Sequence, residues 1–385
     1  MIFRSFFSFL FVFIALFDPQ IPFFLNGVGL SIFFVLLFLL KVTVTKFKFS
    51  LDSVFYIVSI YFFAVFFFSL LRVLVLGDNF EFLLSILRGW LTFVSCYFVY
   101  YFFLDKNKVV FFLTLCFVVN SVINFSVASN PVLFPMIELF KGENLSSELG
   151  YNPFRNSYLS MSGYYTIGTA YGIFSMLLGY TLVKERASFT RMAAFFTVGF
   201  SAVIAARTAS LAVVAILGYF LSKRLVFIVF SLLMVYAGIY LLSEIDSLQV
   251  YKNWVLEGGD KSYIIDVVDA IWIDTSGLNL LYGTGYVNNG LFAYTDSGFL
   301  KELLFGGIPY LLLKISLLGI IYFVFKVDKI FSFLLLLVVL VFNFKGQFIF
   351  NSSHGMAVFY FIVFYFKSIS EGFVGKGFDD YSSDN

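Results

Sequence analysis

A few charged side chains stand inside or beside long apolar runs, where a charge needs a chemical reason. Arg207 is the clearest. It occupies Ala205-Ala206-Arg207-Thr208-Ala209-Ser210, a small-residue turn that lets a backbone or ligand come close. Thr208 can cap a following helix, whose first N–H groups would then face the guanidinium. A helix N-terminus beside an arginine is an anion site suited to phosphate. A snorkelling anchor or an ion pair would also account for Arg207. Arg72, Arg88, Arg155, Lys301 and Lys345 are further cations near the ends of apolar runs, and Lys314 lies deeper, five residues after Pro309. Arg72 and Arg88 flank Asp78 and Glu81, so ion pairing within that loop competes with ligand binding at both.

Two residues are candidates for moving a proton. Asp296, in Thr295-Asp296-Ser297-Gly298, opens an apolar run. It reads equally as a helix N-cap and as a general base, and a helix dipole there would keep it ionised. His354, in Ser352-Ser353-His354-Gly355, is the one histidine. Its ordinary pKa suits acid–base work, although a cap or interface role fits the same position. A multi-histidine metal site is excluded. Cys96 and Cys116 lie in apolar runs, too few and too far apart for a disulfide framework or a thiolate metal site. Gly283-Thr284-Gly285 reads as a tight turn, without the strand-then-helix setting of a nucleotide loop.

The elements that must position these groups follow from composition. The chain has 385 residues, 61% of them hydrophobic and 12% charged, with 58 phenylalanines. Its mean hydropathy is +0.96. Soluble domains average about 45–50% apolar and about 25% charged. The balance excludes a soluble enzyme, a disordered chain and a disulfide scaffold, and the net charge of +2 argues against nucleic acid as a partner. An all-α polytopic membrane protein remains.

A span needs about 20 mostly apolar residues. Twelve candidate runs occur, at 5–17, 21–40, 54–76, 83–104, 109–128, 163–183, 188–206, 208–222, 225–242, 298–324, 330–343 and 355–366. The first and the last two are short. They extend into their flanks or, for the first, form half of a hairpin around Asp18-Pro19-Gln20. Placing both termini in the cytoplasm puts 15 of the 25 basic residues on the inner side and 15 of the 23 acidic residues on the outer side, as the positive-inside rule requires. No small-residue cleavage site precedes Asp18-Pro19, so no signal peptide is expected. On this layout the candidate cations sit at the outer ends of spans, against the usual bias.

Two outer connections are long, at 129–162 and 243–297. Long ordered loops are usually functional. In the second, Ile264, Ile265, Val268, Ile271 and Trp272 recur at helical spacing, which predicts an amphipathic helix. Asp260, Asp266, Asp269 and Asp274 nearby form a solvated face, with a divalent-cation site as the minority reading. No internal repeat is visible.

The layout resembles the O-antigen polymerase (Wzy) family, within the O-antigen ligase/polymerase superfamily. The residues that carry the likeness are Ala205-Ala206-Arg207-Thr208-Ala209-Ser210-Leu211, Gly283-Thr284-Gly285-Tyr286, Thr295-Asp296-Ser297-Gly298-Phe299-Leu300 with Gly306-Gly307-Ile308, and more weakly Asn343-Phe344-Lys345-Gly346. Together they cover about thirty residues, in the order of a whole-chain layout. Ligases of the superfamily commonly carry His where this chain has Asp296, so the likeness leans to the polymerases. It implies glycosyl transfer at the periplasmic face of a bacterial inner membrane, with an oligosaccharide repeat on undecaprenyl diphosphate as donor. Arg207, with Arg155, Arg88, Arg72, Lys301 and Lys345, would meet the diphosphate. Asp296 would serve as base, with His354 in reserve. No cofactor or metal is implied. A flippase and a chain-length regulator of the same pathway are the implied protein partners.

Two other functions fit the same features. One is the ligase that moves finished glycan onto lipid A–core. The other is a flippase or transporter of lipid-linked glycan, which would usually show repeated halves and helices interrupted near mid-membrane. A structural membrane subunit would leave the outer arginines unexplained.

Overall fold

The computed structural model describes residues 2–19, 29–45, 51–77, 80–133, 164–185, 188–223, 281–283, 297–324, 328–346, 348–349 and 353–372, with 229, 236 and 240. Among these residues the chain is all-helical. Eleven helices run in order: α1 (Ile2–Phe17), α2 (Ile32–Val44), α3 (Ser53–Leu76), α4 (Glu81–Phe102), α5 (Val109–Ser129), α6 (Tyr164–Lys184), α7 (Phe189–Ala205), α8 (Ser210–Lys223), α9 (Gly298–Val324), α10 (Lys329–Lys345) and α11 (Ser353–Ser370). Five are long and apolar enough to cross a membrane: α3, α4, α5, α6 and α9. The run at 225–242 and the amphipathic helix expected at 261–274 lie outside the described residues, as do most of the two long connections.

Local signals set the helix ends. Asp52 precedes α3 and accepts the Val54 N–H at 3.1 Å. Asp328 caps α10 by accepting from Ile330 and Phe331, both at 3.1 Å. Ser188 caps α7 through the Arg191 N–H. Such caps satisfy amides that would otherwise be stranded at a helix start.

Two helices form the centre. α6 is almost wholly enclosed and packs on α7, α8 and α11. Gly168 and Gly172 on α6 have no side chain to hold neighbours away. A Cβ on Gly168 would lie 2.6 Å from that of Ala206, and one on Gly172 would lie 3.2 Å from that of Ala212. This is the small-residue contact that lets helices approach in lipid, where burial of apolar area supplies no drive. α11 is buried from Met356 to Phe366. Its Tyr360 and Phe364 meet Phe93 and Tyr97 of α4 edge-to-face, at 5.1 and 5.7 Å between ring centres. Phe366 meets Tyr180 of α6 at 5.1 Å.

The periphery is apolar. Along α3, Ile60, Phe63, Phe67, Leu71 and Leu74 share one face and are 48–67% exposed. A stripe of that length on a soluble protein would be an aggregation surface. On a helix of 24 residues it is a face turned to lipid.

The first two helices are short. α1 and α2 have 16 and 13 residues, about 24 and 20 Å of helix against a hydrocarbon layer of about 30 Å. Asp18 turns the chain at φ +43° and accepts the Ser31 N–H at 2.7 Å. The Ser31 carbonyl in turn accepts from Ser95, deep within α4. The half-hairpin expected around Asp18-Pro19-Gln20 falls partly on residues 20–28, outside the described residues.

Candidate functional site

The most unusual chemistry lies in α9. Ser297 Oγ accepts the Leu300 N–H at 3.4 Å and so caps the first turn. The helix is then broken at Gly307, whose φ of 69° and ψ of −168° no α-helix contains, and Pro309 starts the second piece. Pro is tolerated at a first helical position, where its missing N–H costs nothing. A turn from the second long connection seals the break. Gly283 sits there at φ +68°, and a Cβ on it would fall 2.6 Å from the Leu304 carbonyl and 2.7 Å from the Gly307 nitrogen. Only glycine fits both the backbone angle and the space.

Beneath the break is a closed polar network. Lys314 Nζ lies 2.9 Å from Glu302 Oε1, and both side chains are fully enclosed. Lys314 also donates to the Ile349 carbonyl at 3.0 Å. Asn343 of α10 donates from Nδ2 to Glu302 Oε2 at 3.3 Å. Its Oδ1 accepts the N–H groups of Phe348 and Ile349, each at 3.0 Å. A lone charge at this depth costs about 2.5–3.5 kcal/mol on insertion scales. Lys314 therefore has the partner its position demands.

The candidate cations can now be placed. Arg72, near the end of α3, donates from Nη1 to the Tyr282 carbonyl and lies over the Phe305 ring, 5.6 Å from its centre. It ties the 281–283 turn to α9. Lys301 is half-buried in the first turns of α9, and Lys345 is half-buried at the end of α10. Those two helix ends meet: Phe299 and Phe344 are in ring contact at 6.4 Å. Arg207 begins a 3-10 turn, Arg207–Ala209, which touches α6, α7, α8 and α10. The sharp small-residue turn expected at 205–210 is thus present. Arg72, Lys301, Lys345 and the Arg207 backbone belong to one end of the helix assembly. Arg155 and Asp296 lie outside the described residues, as does the acidic group at 260–274.

Two residues stand apart. Arg88 is exposed on the outside of α4. His354 is 1% exposed, and its Nδ1 lies 2.8 Å from the Leu16 carbonyl at the end of α1. The interface role weighed for His354 accounts for that position.

A second polar cluster had no sequence signal beyond polar letters inside apolar runs. Asn120 Nδ2 donates to the Tyr171 hydroxyl at 2.8 Å, Ser121 Oγ lies 3.0 Å from the same oxygen, and Ser201 donates to Ser121 at 2.9 Å. The cluster joins α5, α6 and α7. Asn124, Tyr171, Ser201 and Ala205 line a small pocket there, just below the Arg207 turn. Among the described residues, Asn120 Oδ1 is buried without a hydrogen-bond partner. Among the described residues no three His, Cys, Asp or Glu side chains gather into a metal site, and Cys96 and Cys116 are buried free thiols.

No protein-family model matches this chain, and no curated protein or solved structure matches it either.

Proposed function

We propose that this chain is an O-antigen polymerase: a twelve-span inner-membrane glycosyltransferase with both termini in the cytoplasm. The supporting observation is the gathering of Lys301, Lys345, Arg72 and the Arg207 turn at one end of the assembly, around the start of the broken α9. In this reading that end faces the periplasm. The donor is an oligosaccharide repeat on undecaprenyl diphosphate, and the acceptor is a second lipid-linked repeat.

The chemistry needs two things. A hydroxyl oxygen of the acceptor sugar bonds to the donor's anomeric carbon while the bond from that carbon to the diphosphate oxygen breaks. The leaving diphosphate gains charge, so fixed cations must meet it in the transition state. We assign Arg207 to that role, with Arg155, Arg88, Arg72, Lys301 and Lys345 as the further cations proposed to meet the diphosphate. The attacking hydroxyl gives up its proton to a base within hydrogen-bond reach. Asp296, which precedes the capping Ser297 in sequence, is the base in this reading. His354, enclosed between α11 and α1, supports the packing around it.

One observation favours a second reading. Interrupted helices carrying buried charge are common in transporters, so the break in α9 also suits a flippase of the same lipid-linked glycan. Deleting the gene and running the surface glycan on a gel separates them. A polymerase leaves core capped with a single repeat and no ladder. Loss of every repeat would instead point to a flippase or a ligase and overturn the polymerase assignment.

A further inference from the structure

The α3–α4 seam holds an apolar groove of about 80 Å³, lined by Phe62, Phe63, Phe66, Ile86, Leu87 and Trp90. Its floor is dry: Phe62 and Ile86 are 2% and 1% exposed. Its rim opens outward, with Phe63 61% and Leu87 40% exposed. Trp90 and Phe63 are in tilted ring contact at 5.8 Å across the seam. The groove continues the exposed apolar face of α3, so its surroundings are lipid chains.

Arg88 follows Leu87 and is exposed on the same side of α4 as Leu84 and Leu87. Its guanidinium has no ion-pair or hydrogen-bond partner among the described residues; only its backbone carbonyl is engaged, by Thr92. A guanidinium on a lipid-facing helix is costly unless an anion reaches it. Helical side chains lean toward the helix N-terminus. Arg88 thus points back toward the Glu81 end of α4, about 10 Å along the axis. The groove lies on the other side, at the level of Ile86 to Trp90 and further into the bilayer. A charged group above and an apolar slot below suit an anionic lipid.

We propose that Arg88 and the α3–α4 groove bind an anionic glycerophospholipid, with the phosphodiester on the guanidinium and one acyl chain lying against Phe66, Leu87 and Trp90. The site is separate from the cation-bearing end of α9 and does not depend on the glycosyltransferase reading. The Arg88 charge selects the headgroup. The groove selects a chain rather than free phosphate.

Trp90 supplies the test, because it lines the groove and is one of three tryptophans in the chain. The full chain carrying Trp254→Phe and Trp272→Phe is reconstituted in phosphatidylcholine vesicles, leaving Trp90 as the sole fluorophore. Dibrominated phosphatidylglycerol or dibrominated phosphatidylcholine is then titrated in, and quenching is read. One basic residue near the headgroups is worth about 1 kcal/mol, equivalent to about a fivefold preference for phosphatidylglycerol. Arg88→Gln should make the two lipids equal. Raising salt on the protein that keeps Arg88 should shrink the preference without a further substitution. Equal quenching by both lipids at low salt overturns the proposal, as does a preference that survives Arg88→Gln. So does quenching that unbrominated polyprenyl phosphate relieves while unbrominated phosphatidylglycerol does not, since the occupant would then be another lipid.

Discussion

Lys314 Nζ and Glu302 Oε1 are 2.9 Å apart across the break in α9, with neither side chain open to solvent. Removing one member strands the other. Glu302→Gln or Lys314→Met alone should cost about 3–5 kcal/mol, whereas the joint replacement Glu302→Leu with Lys314→Met should recover most of that loss. Thermal unfolding of the purified protein measures all three. Additive losses would show that the two charges act independently.

Gly283 makes a sharper steric prediction. Gly283→Ala places a methyl 2.6 Å from the Leu304 carbonyl at a φ of +68°, and left-handed backbone alone costs an L-residue about 1–2 kcal/mol. Gly218, inside α8, has nothing within 4 Å of its would-be Cβ. Gly218→Ala should be neutral or raise stability by up to about 1 kcal/mol. Equal melting temperatures for the two variants would contradict the packing of the 281–283 turn on α9.

Asp52 joins three helices at the opposite end. It caps α3, pairs with Lys367 of α11 and accepts from Tyr101 of α4 at 2.6 Å. Asp52→Asn keeps an acceptor oxygen for the cap and loses the charge. Asp52→Ala loses both, and should be the less stable by about 0.5–2 kcal/mol, the usual worth of a cap. Comparing their melting curves isolates the cap from the ion pair.

The functional reading predicts how the glycan ladder responds. Arg207→Ala should abolish long chains in cells at normal protein level. Arg207→Lys should restore them poorly, since an ammonium cannot make the two-pronged contact of a guanidinium. Asp296→Asn should spare insertion and remove polymerisation. A normal ladder in Arg207→Ala cells would remove Arg207 from the site. Activity that persists in Asp296→Asn and disappears in His354→Ala would move the base to His354.

Much of the helical layout was legible because composition and run length report directly on burial in lipid. The short final runs did extend into their flanks, as α10 and α11 show. Lys314 was recognisable as a charge that needed a partner, from depth alone. Its partner was not, because Glu302 lies in the same apolar run, and a straight helix gives residues 12 apart no contact. The break at Gly307, which Gly306-Gly307-Ile308-Pro309 hints at, is what makes that pairing possible. The Asn120–Tyr171–Ser201 cluster was hidden for a different reason. Its members come from three helices, and periodicity within one helix says which side is polar but not which neighbour meets it.

The interruption of α9 also bears on how the chain fits its bilayer. As one rod, its 27 residues would measure about 40 Å, some 10 Å more than the hydrocarbon layer. Divided at Gly307, it becomes segments of about 14 and 26 Å, neither of which overshoots. Straightening it would impose hydrophobic mismatch, to be absorbed by tilt or by local thickening of the membrane.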